Sequence, residues 1–264
     1  MSKLFNYMNL AAAYLRLNFM AQLEYRGAFI SQALAMFIND AVWVVFWCLF
    51  FNRFPVLRGW TLNDFITLWA LAAAGFGLSA VAFGNGLHLA SLIARGQLDA
   101  WMLYPRSLLW HLLLGRMNAT AVGDVLFGYA VYLWMVRPDL QHFLLFTALS
   151  ISVAIVFVGF NIATGSLSFF LGNAEGLAEQ WRFAMITFST YPANLFEGAI
   201  KLVLFTIIPA GFISSLPVES LRNLSLSYAG LAFLGALSVL GVGVLLFYCG
   251  LTRYESGNLT EMRG

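Results

Sequence analysis

Residues 143–171 read FLLFTALSISVAIVFVGFNIATGSLSFFL, without one Asp, Glu, Lys or Arg. A helix needs about 20 apolar residues to cross the roughly 30 Å hydrocarbon core of a bilayer, and this stretch exceeds that length. Working outward, residues 27–51, 64–87, 108–136, 177–195 and 228–254 are further apolar runs, so the sequence predicts an all-α membrane protein of six transmembrane helices. Across its 264 residues, 61% are hydrophobic and 10% charged, against about 25% charged in an average soluble domain. So few charges cannot clothe a water-soluble surface, and the spans leave no room for a separate soluble domain; 1–264 reads as a single transmembrane domain.

The connections carry their own signals. Asn52-Arg53-Phe54-Pro55 stops the first span, Arg137-Pro138-Asp139 the third, and Tyr191-Pro192 interrupts the fifth. The second span carries Gly75, Gly77, Ala80, Gly84 and Gly86, small residues that let helix backbones approach closely in lipid, so this face is expected against protein. On the fourth, Asn161, Thr164, Gly165 and Ser168 share a face and read as a packing surface. Glu197 and Lys201 stand four apart with the acid first, the favourable order for a helical pair. The apolar stretch Leu202–Ser215, closed by Leu216-Pro217, is short for a span, and residues 196–217 read as a re-entrant element before the last helix.

Residues 1–26 are broken up by Asn6, Asn9, Arg16, Asn18 and Glu24, which argues against a cleaved signal. Leu4, Met8, Ala12, Leu15, Phe19 and Leu23 recur at helical spacing, the pattern of an interfacial helix. In residues 88–107, Arg95, Gln97, Asp99 and Arg106 interleave with Leu89, Leu92, Ile93, Leu98, Met102 and Leu103; this amphipathic segment is too polar to span. Six crossings put both termini on one side, with Lys3, Arg16, Arg26, Arg95, Arg106, Arg116, Arg182, Arg253 and Arg263. The other side carries Arg53, Arg58, Arg137 and Arg222. The excess of positive charge places both termini in the cytoplasm.

Several chemistries are excluded. A P-loop needs G-x-x-x-x-G-K-[ST], and the two lysines, Lys3 and Lys201, stand in no such context, so the chain is not expected to hydrolyse ATP. His88, His111 and His142 are scattered and read as interfacial residues near span ends; no zinc-type cysteine or histidine cluster accompanies them, and no metal or cofactor is expected on this chain. Cys48 and Cys249 read as free thiols in apolar runs. A net charge of +2 without a basic cluster argues against nucleic acid as a partner. The 25 Phe, 8 Trp and 10 Tyr read mostly as lipid-facing bulk and interface anchors.

Ionisable groups at span centres cost roughly 2.5–3.5 kcal/mol each on insertion scales unless paired or wetted. Asn39 and Asp40 lie mid-way along the first span, and Arg116, Thr120 and Asp124 recur every four residues on the third as one polar stripe. These five residues read either as an interhelical polar clamp or as part of a translocation path.

Gly96-Gln97-Leu98-Asp99, followed by Met102 and Pro105, is similar to the G-x-L-D-x-x-L-x-x-P pattern of ABC-2 family (type-2) permeases of bacterial ATP-binding-cassette exporters, with Met102 standing where the family has leucine. Tyr191-Pro192, Ile208-Pro209-Ala210 and Pro217 resemble the family's proline-punctuated region before the last span, and Tyr254-Glu255-Ser256-Gly257 resembles its Y-x-S-G ending. The resemblance implies a permease subunit in the bacterial cytoplasmic (inner) membrane, working with two ATPase subunits that bind ATP and Mg2+, a second permease copy or relative, and membrane lipid. It also implies that Arg95, Gly96, Leu98, Asp99, Met102, Leu103 and Pro105 form the ATPase-coupling segment. Gly96 then permits a bend, Asp99 caps a new helical turn, and Leu98, Met102 and Leu103 offer apolar knobs to the partner. The alternative is an ion-coupled secondary transporter or channel that uses Asp40 and Asp124 and needs no ATPase. An intramembrane hydrolase ranks behind both, since no histidine sits at a span centre.

Overall fold

The computed structural model describes residues 2–104 and 107–254. Expectations that fell on Pro105, Arg106, Arg263 and Glu255-Ser256-Gly257 lie outside the described residues. No β-strand forms among the described residues; Leu57 and Trp60 make an isolated antiparallel bridge. The helices are α1 Ser2–Glu24, α2 Arg26–Arg53, α3 Leu62–Phe83, α4 Leu89–Ala94, α5 Leu98–Met102, α6 Leu108–Leu114, α7 Ala121–Val131, α8 Leu140–Ser166, α9 Ser168–Leu171, α10 Glu175–Ser189, α11 Ala199–Thr206, α12 Gly211–Asn223 and α13 Leu226–Leu251. Four stretches are long and apolar enough to cross a bilayer: Arg26–Arg53, Leu62–Ala94, Leu140–Leu171 and Leu226–Leu251. A fifth is reached if α11 and α12, bent by 92°, count as one span. The second span continues past residue 87, because a 3-10 turn at Gly84–His88 joins α3 to α4.

Two of the six expected spans are not single helices. Residues 108–136 divide into α6, an irregular stretch, α7 and a wider π turn at Tyr132–Val136. The backbone leaves the helix because other partners take its hydrogen bonds. Asn118 N–H donates to the Ala80 carbonyl at 3.1 Å, and the Asn118 Oδ1 accepts from the Thr120 N–H at 3.2 Å and its hydroxyl at 2.7 Å. Arg116, Thr120 and Asp124 therefore form no continuous stripe: Arg116 is exposed on the irregular stretch, whereas Asp124 is buried on α7. Residues 177–195 form only the short α10, followed by the break at Tyr191-Pro192 and a 3-10 turn at Ala193–Leu195.

The ends of this region are fixed by charge. Arg95 meets Glu175 at 3.6 Å, while Arg58 donates to the Leu195 carbonyl at 3.5 Å and pairs with Glu197 at 2.7 Å. Residues 175–197 thus run from one end of the Leu62–Ala94 helix to the other. Glu197 does not pair with Lys201 as expected, because Gly198 adopts φ +60° and α11 begins only after it. From that point α11 and α12 meet at a 92° bend around Pro209, and α12 ends where Arg222 pairs with Asp64 at 2.7 Å. Glu197 and Arg222 thus both contact the chain near the N-terminal end of α3. Pro217 does not close the element; it sits inside α12.

Close packing holds the long helices together. A Cβ on Gly75 would collide with Val153 of α8, one on Gly77 with Val125 and the Ala121 carbonyl of α7, and one on Gly128 with the Ala70 carbonyl of α3. At the crossing of α8 and α13, a Cβ on Gly159 would lie 2.6 Å from the Leu240 Cα and backbone N, and one on Gly243 would strike the Gly159 carbonyl. Gly165 meets Leu89, and Thr164 donates to the Phe160 carbonyl, so that face packs as expected. The aromatic residues are less lipid-facing than expected: Trp47, Phe51, Trp60 and Phe65 are buried together. His111 is buried too, bonded to the Tyr14 hydroxyl at 3.1 Å, which with Asn18 donating to the Leu114 carbonyl at 3.2 Å ties α1 to α6.

At Gly159 the neighbour is backbone and cannot swing aside, whereas nothing lies within 4 Å of a Cβ on Gly241. Gly159→Leu is expected to destabilise the fold by about 1–3 kcal/mol, the usual cost of overpacking, and Gly241→Leu to leave it unchanged; apparent Tm of the detergent-purified protein measures both.

Candidate functional site

Two places bring chemistry-bearing residues together. The first is the segment after α4. Gly96 takes φ +67°, a left-handed conformation open to glycine, and turns the chain back so that α5 lies against the bundle. Asp99 does not cap α5; Gln97 holds that position and Asp99 lies in the first turn. Leu98 is not a knob either. At 0% exposure it sits among Leu89, Ile93, Leu109, Leu112 and Phe247 and anchors the segment from behind. The Trp101 ring covers Gly115, where a Cβ would collide with it.

Opposite this anchored face, Met102 is 43% exposed and Leu103 86% exposed. The two sequence motifs that stood farthest apart meet here: Tyr254, after α13, lies beside Asp99. Burial first, and then the Asp99 carboxylate, push the Tyr254 phenol up to about 12. Arg95, paired with Glu175, ties the segment to α10, and Arg182 of α10 donates to the Leu87 carbonyl in the turn before α4 at 3.0 Å. The segment is therefore held on one face and side and carries an apolar tip.

The second place is mid-membrane. Asp40 lies fourteen residues into α2 and thirteen from its end, about 20 Å from either terminus at 1.5 Å per residue. Gly123 lets α7 rest against the Ala33 carbonyl of α2, and that close approach brings Asp124 to Asp40. Their carboxyl groups lie within hydrogen-bond reach of each other. Asp40 is 9% and Asp124 3% exposed, and the Oδ2 atom of each has no protein partner.

Both carboxyls line a cavity of about 210 Å3 walled by α2, α3, α7, α8 and α10. Asn39 also lines it; Thr120 and Arg116 do not. Sequence reasoning found Asn39, Asp40 and Asp124 but missed Trp69, Phe76, Phe157, Ser189 and Thr190, which complete the wall. Hydropathy gave no signal for these residues, since aromatics in apolar runs look alike whether they face lipid or a cavity. Tyr191, Pro192, Glu197, Lys201, Pro209 and Pro217 join neither place: they lie at the break after α10 and along the bent α11–α12 pair.

A family model described as "ABC-2 family transporter protein" matches residues 37–257. No curated protein and no solved structure matches the chain significantly. The matched region takes in both places, from Asp40 to Tyr254.

An amide in place of either carboxyl can donate to the other. Asp124→Asn is expected to retain near-native stability, while Asp124→Leu leaves Asp40 without its partner and costs about 1–3 kcal/mol. Apparent Tm of the two purified variants, measured side by side, checks the difference.

Proposed function

The chain belongs to the ABC-2 transporter family, and we propose that this multi-pass permease is the membrane subunit of an ATP-driven exporter whose motor is a separate protein. The observation that carries this reading is the braced segment at Gly96–Leu103, clamped by buried Leu98 on one side and presenting Met102 and Leu103 on the other. An exposed apolar tip on a stiff support suits force transmission, since movement of a partner against it is passed to α4, α6 and α13 rather than absorbed. With no P-loop in the sequence, ATP and Mg2+ are handled by the partner ATPase.

The assembly we infer has two ATPases and a second permease, identical or related, in a bacterial cytoplasmic membrane. ATP-driven closure of the motor pushes on the coupling segment and tilts the bundle, shifting the population between inward-open and outward-open states. Six crossings and cytoplasmic termini follow if residues 107–136 and 175–197 each traverse the membrane as broken spans. The contacts of residues 175–197 at both ends of the Leu62–Ala94 helix support that count. Export, rather than import, rests on the family resemblance. The Asp40–Asp124 pair favours one other reading, a carrier driven by an ion gradient, which needs no ATPase.

Co-purification in mild detergent separates these readings. An ATPase is expected to accompany the wild-type chain, and Leu103→Asp, which places a carboxylate against an apolar docking surface, is expected to cut its recovery by about 30-fold, the effect of a hot-spot loss of roughly 2 kcal/mol. Reproducible absence of an ATPase from the wild type points to the ion-driven carrier.

A further inference from the structure

We propose that the cavity between Asp40 and Asp124 is a binding site for an ammonium group, so that the molecules moved by this permease are cationic amphipaths; this rests on the permease reading above. Asp40 and Asp124, each with a buried Oδ2 to which no protein N–H or hydroxyl donates, line the same cavity, and among the described residues no Lys, Arg or His lines it with them. Carboxyl oxygens are acceptors, and an ionised carboxylate has no donor of its own. A cationic group with several N–H donors complements two such carboxyls, and a protonated amine is one.

The walls agree with the charge. Trp69, Phe76 and Phe157 line the cavity, and aromatic faces attract an ammonium by roughly 0.5–2 kcal/mol each, according to desolvation. The Trp69 indole N–H is likewise buried and unpartnered, a donor for an oxygen on the same ligand. Asn39 of α2 and Ile186 of α10 are exposed and line the cavity, so they mark its mouth. A molecule arriving there with an apolar tail in the bilayer leaves only its head in about 210 Å3. An anionic head meets carboxyls that repel it, and a neutral head brings no charge to pair with them.

The probe is radiolabelled benzylamine, bound at equilibrium to the purified chain in lipid nanodiscs, with benzyl alcohol as its neutral counterpart of like size. The wild type is expected to prefer the amine by at least about tenfold, a difference of 1.4 kcal/mol. Asp40→Asn combined with Asp124→Asn is expected to abolish that preference. Should this double variant fail to fold, Ile186→Trp, a surface change that fills the mouth and leaves both carboxyls in place, is expected to weaken amine binding by at least about tenfold on the same scale. Equal binding of amine and alcohol to the wild type, a preference that survives in the folded double variant, or undiminished binding to Ile186→Trp overturns the site. No ATPase is present in this assay, so its failure removes the ammonium site and leaves the permease reading standing. Amine selectivity in a chain that never recovers an ATPase does the reverse.

Discussion

Between helices in lipid, exclusion of water offers no net drive, because lipid tails are as apolar as leucine; cohesion has to come from close packing and from polar contacts. In this protein that constraint is met by glycine at the helix crossings. Gly75 and Gly77 seat α3 against α8 and α7, Gly159 and Gly243 seat α8 against α13, and Gly123 seats α7 against α2. Gly123, Gly159 and Gly243 meet backbone, Gly77 meets both the Val125 side chain and backbone, and Gly75 meets the Val153 side chain. The remaining architecture hangs on this frame. The Gly123 contact sets the Asp40–Asp124 pair, and the α3–α4 helix carries the Gly96–Leu103 segment at its end.

The two functional places are thereby connected without a long chain of contacts. Asp124 lies on α7, which packs on α3 through Gly77 and Gly128, and α3 runs on through Gly84–His88 into α4, Gly96 and α5. The segment that ends at Leu103 is thus joined, through the turn at Gly96, to the helix that walls the carboxyl cavity with Trp69 and Phe76. The irregular stretch between α6 and α7 abuts this line, since Asn118 bonds Ala80 and Gly84 lies against the Arg116 carbonyl.

Much of the fold was legible in the sequence because bilayer thickness sets a length that apolar runs either meet or miss. The four longest stretches, the small-residue face of α3, the turn at Gly96 and the break at Tyr191-Pro192 all follow from residue type and local spacing. What escaped was decided by tertiary contacts. The run 108–136 has neither a proline nor a charged cluster at its break; Asn118 ends α6's course by bonding outward to Ala80, and no periodicity reports that. Glu197 and Lys201 looked like a helical pair until Gly198 began a new helix between them and Arg58, far away in sequence, took the acid. Leu98 and Leu103 are the same residue type five positions apart, yet one is the anchor and the other the tip. Asp40 and Asp124 were each found, but their pairing depends on a close approach at Gly123.

Docking of a motor on the exposed tip of the coupling segment is most directly tested by photo-crosslinking in intact membranes. A benzoylphenylalanine placed at Leu103, 86% exposed, should form an adduct with a chain whose peptides carry a P-loop, while the same group at Gly230, which has open space around it on α13, should not. Absence of an ATPase adduct at Leu103 in a chain that reaches the membrane, or an equal yield at Gly230, contradicts it.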